Sequence, residues 1–596
     1  MYFYDFEVFK YDWLVVFKQD DGAETDIIND RQALIKFYEE HKNELSIGYN
    51  IKHYDQYIYK GIMLGMNPKE INDYIIVQGG NGYNFSRAFN SIRLLQYDVM
   101  QKQQSLKTLE GFMGLKIKES DIPFDIDRKL TEEEIQETLE YCRHDVNSTI
   151  KVFIENVSDF NTFFNLYNLY SDILNVNDLS ETGARITSKI MQCERNEYDD
   201  EFNYFFNPNL RIEKYKCVLE WFEERKGNKS KLDSKDYYSD SFETEIANVP
   251  HTFGFGGLHG APDKPIILEG GAIFHVDVNN YYPSMLIAWG LITRSARNNN
   301  YTNIYNIRKE LKMKQLSAKT KEEKKKYKEM QMPYKLVLNA LSGAMKDKTS
   351  NAYDPRNNNC MCINGQLMLL DLIEHLEVIP GFMLIQSNTD GLIIKIEDTD
   401  KAFDMLDDIC YEWETRFSTE KAEIKLAFEQ IERIYQGDVN NYLFVDVDGN
   451  VTKIGAYVKD LSETDYDLPI INKAIVNKLL YNINVEDTIN KCNELKEFQK
   501  IVKLSKNYDY VEHENGTDKE HYTYKCYRVF ASNRTEDGRL LKVKKEKGTG
   551  EKFANTPDKC FIDNEDVNGK LIPNYLDKQW YIDLANKRLL DKFNVK

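Results

Sequence analysis

Residues 382–396 read FMLIQSNTDGLIIKI, two short apolar, β-branched runs on either side of Ser387-Asn388-Thr389-Asp390-Gly391. Apolar runs of this length flanking a tight turn that ends in Asp-Gly predict a β-hairpin. Its tip carries a carboxylate, Asp390, fixed by the sheet behind it. What that acid does depends on which groups the rest of the chain brings to it.

Upstream, AIFHVDV at 272–278 predicts a strand that delivers Asp277, followed by Asn-Asn-Tyr-Tyr-Pro-Ser. Two carboxylates carried on different strands are what a pair of divalent cations needs for a shared site. Between them, residues 304 to about 345 predict two helices joined near Ser317 to Thr320. Arg308 and Lys312 are four apart on the first, and Lys335 and Asn339 four apart on the second. Each pair therefore shares a helix face, and three cationic ends can converge on three phosphates. The segment TFGFGGLHGA at 252–261 is Gly-rich but lacks the Gly-Lys-Ser/Thr ending of a P-loop, which argues against that mode of nucleotide binding.

A second group of acids lies near the N-terminus. YFYDFEVF reads as an alternating strand, then a turn and a second strand, Trp13 to Phe17. Asp5 and Glu7, two apart, project from one face of the first strand. Alone, such a pair is usually a solvated face. Two further pieces follow in order: Asn50-Ile-Lys-His-Tyr54-Asp55, and Tyr141-Cys-Arg-His-Asp145 on a helix that begins with a Thr-x-x-Glu capping box at Thr131. Tyr141 and Asp145 share a face of that helix, so a phenol stands beside a carboxylate.

At 596 residues and 42% hydrophobic content the chain is long enough for several cores, roughly four units at about 150 residues each. Alternating strands and helices run to about residue 155, and 156 to 265 reads as mainly helical. No apolar run approaches the ~20 residues of a membrane span, and the opening MYFYDFEVFKYDW is acidic where a signal peptide is basic and then apolar. A soluble intracellular protein with no membrane partner is expected. Nine cysteines form no CxxC pair, which argues against a zinc or iron–sulfur module. The net charge of −19 opposes nucleic-acid binding only as a total. Arg308 to Lys328 holds ten basic residues against three acidic, and Lys542 to Lys552 five against two, so local basic segments are available for phosphates.

In chain order, Asp5-Phe-Glu7, Asn50 to Asp55 and Tyr141 to Asp145 resemble the three exonuclease motifs of the family B DNA polymerases. DVNNYYPS, KLVLNALSG and SNTDG resemble that family's polymerase motifs A, B and C. The resemblance covers almost the whole chain and is of phage type. It implies an α/β multidomain protein, with an RNase H-like 3′-5′ exonuclease domain at 1–155 and a connecting region at 156–265. The right-hand polymerase follows, with palm at 266–303 and 349–438, fingers at 304–348 and thumb at 439–596. The implied task is template-directed DNA synthesis with proofreading, in phage genome replication.

By that resemblance Asp5, Glu7, Asp55 and Asp145 hold two Mg2+ ions and Tyr141 positions the attacking water. Asn50, Tyr54, Ser105 and Leu106 contact single-stranded DNA, and Lys118 matches an extra catalytic lysine of phage relatives. Asp277, Val278 and Asp390 hold a second pair of Mg2+ ions, with Mn2+ as a substitute. Tyr282 is the steric gate against a ribose 2′-hydroxyl, Lys335, Arg308 and Lys312 bind the triphosphate, and Asn339 lies against the nascent base pair. The Gly254–Gly260 segment, with Gly256 and Gly257, contacts template, while Tyr442 and Lys453 stand in for a primer-gripping Lys-x-Tyr element. The implied partners are primed DNA, dNTPs, single-stranded DNA and phage replication accessory proteins, for a monomer in the cytoplasm of an infected bacterium.

The chain departs from the family pattern at four places. Asn388 replaces the first Asp of Asp-Thr-Asp, Gly391 replaces a Ser, Ala340-Leu-Ser342-Gly343 replaces Ser-x-Tyr-Gly, and Asn440-Asn441-Tyr442 lacks the Lys. Asp277 to Lys335 spans 58 positions and Lys335 to Asp390 spans 55, without the insertions of protein-primed relatives, so a nucleic-acid primer is expected. Two other readings stay open: a nuclease whose palm has lost synthesis, motivated by Asn388 and Ser342, and a non-catalytic DNA-binding scaffold.

Overall fold

The computed structural model describes residues 1–100, 104–227, 239–516, 518–544, 546 and 548–596. The basic segment 542–552 includes 545 and 547, which lie outside the described residues. The protein is a mixed α/β chain with four sheets among the described residues. It forms two compact units, one of Met1–Tyr167, Asn175–Ser180 and Leu461–Ala585, the other of Asn168–Leu174, Glu181–Asp460 and Asn586–Lys596.

The first unit begins with a five-stranded sheet built from β1 (Tyr2–Val8), β2 (Trp13–Gln19), β3 (Glu24–Ile28), β4 (Leu45–Gly48) and β5 (Leu95–Asp98), in the order β3-β2-β1-β4-β5. β1 is central, antiparallel to β2 and parallel to β4. The alternation expected of a half-exposed strand is absent, and nearly every side chain of β1 is buried. Both faces are covered. Tyr2, Tyr4 and Phe6 enter a core with Phe17, Phe37 and Tyr59, while Phe3 packs edge-on to Phe153 of the Glu132–Glu155 helix. That helix starts at the capping box read from the sequence, with Thr131 and Glu134 bonding reciprocally. Asp5 and Glu7 share the face of Phe3, so the pleat sends both carboxylates toward the helix.

The same unit includes two smaller sheets from 461–585. Arg528, on the Cys526–Ala531 strand, is fully buried without a carboxylate partner among its hydrogen bonds. Its guanidinium donates to the carbonyls of Leu115 (2.7 Å), Gly111 (3.1 Å), Glu565 (2.7 Å) and Asp563 (3.2 Å), and to Gln499 Oε1 (3.1 Å). Gly111 lies in the last turn of the Leu106–Phe112 helix, whose carbonyls lack intrahelical partners and carry the negative end of the helix dipole. Burial lowers the Arg528 pKa to about 10, which leaves it cationic at neutral pH.

The second unit is organised by a nine-stranded sheet of β6 (Phe242–Ile246), β7 (Val249–Phe253), β8 (His259–Gly260), β9 (Ile266–Val278), β10 (Met383–Asn388), β11 (Gly391–Ile396), β12 (Leu426–Asp438), β13 (Asn441–Asp446) and β14 (Val451–Ile454). Their order is β14-β13-β12-β9-β11-β10-β8-β7-β6. The hairpin read at 382–396 is present as β10 and β11. Helices occur at Val157–Leu169, Gly183–Ile190 and Lys216–Glu223, but the mainly helical reading of 156–265 fails from Phe242, where three strands extend the sheet. The β6–β7 turn is Ala247-Asn248, both at positive φ (49° and 63°). A two-residue turn of that geometry usually announces itself with Asn-Gly. The helices Asn300–Ser317 and Lys321–Lys346 form the expected pair, the second capped by Thr320 and Glu323. Behind the sheet, the Pro355–Leu376 helix is buried along almost its whole length.

Replacing Arg528 with Met removes the cation and takes the donor from the Leu115, Glu565 and Asp563 carbonyls. Unpaired buried groups cost ~1–3 kcal/mol each before relaxation. Arg528→Met is expected to lower the denaturation midpoint of the first unit by the equivalent of about 3 kcal/mol, read by chemical denaturation, and an unchanged midpoint would count against the carbonyl cage.

Candidate active sites

In the second unit the register of β9 on β11 sets Asp277 directly opposite Gly391. The Val278 N–H donates to the Asp390 carbonyl (2.8 Å), which ties the two acid-bearing segments together by backbone. Gly391 makes the crossing close, because a Cβ there would sit 3.0 Å from the Val276 carbonyl and 3.2 Å from Asp277 Oδ1 and press on both. Asp390 follows Thr389, whose φ of +38° is rare for a β-branched residue. Burial, reinforced by the neighbouring Asp390 charge, raises Asp277 to about 6, and burial raises Asp390 as well.

Asp277, Val278, Tyr282, Thr389 and Asp390 line a cavity of about 460 Å³ together with Arg308, Lys312, Lys335, Asn339 and Ser342. The helical spacings read from the sequence therefore converge as expected. Two asparagines missed in the sequence hold the cations: Arg308 bonds Asn280 Oδ1, and Lys312 Nζ reaches Asn279 Oδ1 at 3.0 Å. Asn280 adopts φ +51° to make that turn. Arg308 is buried and its Nε has no partner. Burial lowers the pKa of Arg308, and burial with the Arg308 charge lowers that of Lys312. These are cations short of an anion.

Tyr281 and Tyr282 stack with ring centroids 5.8 Å apart. Both rest on Gly365, where a Cβ would approach their rings to 3.5 Å and 3.3 Å. Gly256, Gly257, Tyr442 and Lys453 lie outside the cavity lining. Gly257 packs against Thr389, the Tyr442 phenol stands beside Gln386 and Asn388, and Lys453 pairs with Asp460 (2.7 Å).

In the first unit, Asp5 and Glu7 on β1, Asp55 at the start of the Asp55–Met63 helix, and Tyr141 and Asp145 on the Glu132–Glu155 helix form a second site. Asp55 Oδ1 accepts the Phe6 N–H (3.1 Å), locking its carboxylate against the strand between the other two acids. Burial and the charges of Asp55, Glu7 and Asp145 raise Asp5, burial and Asp145 raise Glu7, and burial raises Asp55 to about 7. Ligand atoms of Asp5, Glu7 and Cys142 lie within 4.8 Å of one another, as do those of Glu110, His144 and Asp145. The Cys142 thiol donates to the Asp5 carbonyl (3.2 Å), and burial raises its pKa.

Lys107 is the lysine that meets these acids, in the place for which expectation had named Lys118. Its ammonium bonds Asp145 and the fully buried Glu110 (3.3 Å) and lies 4.7 Å from the centroid of the Tyr141 ring. Burial works against its charge, but the two carboxylates prevail and its pKa is raised. The Lys107 and Glu110 spacing of three on a helix was the available signal. Asn50 takes φ +61° and donates its N–H to buried Asp98 (2.8 Å), which also accepts from the Lys52 and Met100 N–H groups. The Tyr54 hydroxyl donates to Asn72 (2.8 Å). The Ser105 hydroxyl, with Leu106 next to it, caps the Leu106–Phe112 helix through the Thr108 N–H (3.3 Å).

Both sites are dominated by carboxylate oxygens, a donor set suited to hard divalent cations such as Mg2+. Among comparisons with known proteins, no family model matches the chain and no curated relative matches it. Among solved structures, the family B DNA polymerase from the hyperthermophilic archaeon Pyrobaculum calidifontis aligns at 12% identity with a TM-score of 0.41, over 100% of this chain and 78% of that one. At that level the likeness assigns no function.

Asp277 at about 6 and Asp55 at about 7 bind protons in the fold that an unfolded chain releases near 3.8. Native carboxyls that bind more protons than unfolded ones favour folding at low pH and lose that contribution as pH rises through their folded pKa values. Without divalent cations, melting temperature is expected to fall as pH goes from about 4 to 7, with Mg2+ restoring it at pH 8 and having little effect at pH 5. Thermal melts with and without Mg2+ at the two pH values check this, and an equal Mg2+ effect at both would exclude the acids as its ligands.

Proposed function

We propose that the chain is a template-directed DNA polymerase of family B, phage type, that extends a nucleic-acid primer and proofreads with a separate 3′-5′ exonuclease site. The observation that carries this reading is the cavity in which a carboxylate from strand β9 and one from the β10–β11 turn meet Arg308, Lys312 and Lys335 from two helices. Paired acids opposite clustered cations suit a polyphosphate nucleotide whose α-phosphate is attacked near the acids while its β- and γ-phosphates lie on the cations.

Asp277 and Asp390, with Val278, would hold Mg2+, or Mn2+ in its place, which when bound supplies activation of the primer 3′-oxygen and neutralises the departing pyrophosphate. Arg308, Lys312 and Lys335 bind phosphate oxygens. The stacked Tyr282 closes the wall where a 2′-hydroxyl would project, and Asn339 and Ser342 border the base. At the second site Asp5, Glu7, Asp55 and Asp145 take the metal-holding role, Tyr141 orients water, and Lys107 offers its ammonium to the scissile phosphate. Asn50, Tyr54, Ser105 and Leu106 are assigned to the single strand, Gly256 and Gly257 to template, and Tyr442 and Lys453 to the primer. The substrates are primed DNA and dNTPs, and the setting is replication of a phage genome.

Extension of a labelled primed template with Mg2+ and dNTPs tests this. Asp277→Ala or Asp390→Ala is expected to reduce extension to background and leave single-strand degradation intact, while Asp5→Ala with Glu7→Ala does the opposite. Degradation without extension by the unmodified protein would overturn the polymerase reading in favour of a nuclease.

Lys107→Met is expected to slow degradation by about 100-fold, the cost of losing one charged group aimed at a reacting oxygen, with extension unchanged. Gel-resolved degradation of a labelled single strand measures it.

A further inference from the structure

Between the buried Pro355–Leu376 helix and the turn that carries Asp390 runs the Gly-rich segment 254–258. Gln366, buried on that helix, grips the segment with both ends of its amide. Its Oε1 accepts the Gly254 N–H (3.1 Å), and its Nε2 donates to the carbonyls of Gly254 (2.7 Å) and Gly256 (2.9 Å). Only a side-chain amide offers an acceptor and paired donors at this reach. The next residues touch the catalytic turn. The Leu258 carbonyl accepts the Thr389 N–H (2.7 Å), and His259 and Gly260 pair with Asn388 and Ser387. His251 fills the space over Gly260 and bonds the Ser387 hydroxyl (2.6 Å). Gly257 lies so close that a Cβ would sit 2.6 Å from Thr389 Oγ1 and 3.1 Å from its methyl group. Gly257 itself has no positive φ, so its missing side chain answers this contact and no backbone demand.

Thr389 is the residue at φ +38°. A β-branched residue there is strained by about 1–3 kcal/mol and persists only where its surroundings hold it. We infer that Gln366 and Gly257 are positioning residues for metal binding at Asp390: the clamped glycine segment is the mould that holds the Thr389 turn and aims the carboxylate. The inference rests on the reading that Asp277 and Asp390 bind divalent cations, and it gives the glycine segment a task besides any contact with template.

The test is Mn2+ binding followed by electron paramagnetic resonance, in full-length protein carrying Asp5→Ala and Glu7→Ala so that the second unit's site dominates. Gly257→Ala and Gln366→Met are each expected to raise the half-saturating Mn2+ concentration about ten-fold, or about 1.4 kcal/mol. In the otherwise unmodified protein the same substitutions should lower kcat for extension by a similar factor, leaving the Kd for primed DNA within two-fold. Adding Thr389→Gly to Gly257→Ala removes the clash and the strain together, and is expected to recover most of the Mn2+ affinity. Weakened DNA binding with an unchanged Mn2+ titration would overturn the inference and make the segment a template contact only. A double variant no better than Gly257→Ala alone would overturn it too. Absence of any Mn2+ signal sensitive to Asp390→Ala would instead overturn the underlying reading of the acid pair, and this inference with it.

Discussion

Like charges crowded out of water are the constraint on which both sites are built. Two or more carboxylates share a partly buried space in each unit, and the fold withholds enough solvent that their protons are retained well above the usual range. Such an arrangement is stable only when something positive answers it. The second unit answers with cations across a cavity, Arg308, Lys312 and Lys335, of which Arg308 leaves its buried Nε without a partner. The first unit answers from within, through Lys107 between Asp145 and Glu110.

What holds the acids together is ordinary secondary structure used at its tightest. Asp5 and Glu7 meet because a pleated strand points alternate side chains one way, and Asp277 meets Asp390 because two adjacent strands are in a register that sets Asp277 against Gly391, where a side chain would be crowded. A Cβ at 391 would press on the Val276 carbonyl and the Asp277 carboxylate here. Glycine at 391 thus suits the packing of this chain's own crossing.

Much of this was legible from residue order. The hairpin at 382–396, the capping box at Thr131, the helix junction near Ser317 to Thr320 and the i, i+4 pairs on three helices are local patterns, and the structure contains each. The parts that were not legible depend on partners far away in the chain or on unmarked turns. Ala247-Asn248 carries no hairpin signature, so β6 to β8 went unread. Asn279 and Asn280 gain roles only once Lys312 and Arg308 arrive, and Lys107 gains one only when its helix meets Asp145. Thr389 looked like a routine turn residue, and its strain is visible only in the backbone angle.

Arg528 has a temporal consequence. Its guanidinium donates to the Gly111 carbonyl across 417 residues of chain, and a ribosome adding about 5–20 residues per second needs roughly 20 to 80 s to cover that interval. Through that time the emerging N-terminal sheet can assemble β1 to β5, and the end of the Leu106–Phe112 helix is closed locally by the Met113, Gly114 and Leu115 N–H groups, while the Leu115 carbonyl waits for its guanidinium. The buried cation that ties this helix end to the Cys526–Ala531 strand therefore arrives only late in translation, after the residues of the other unit's acid pair have been made.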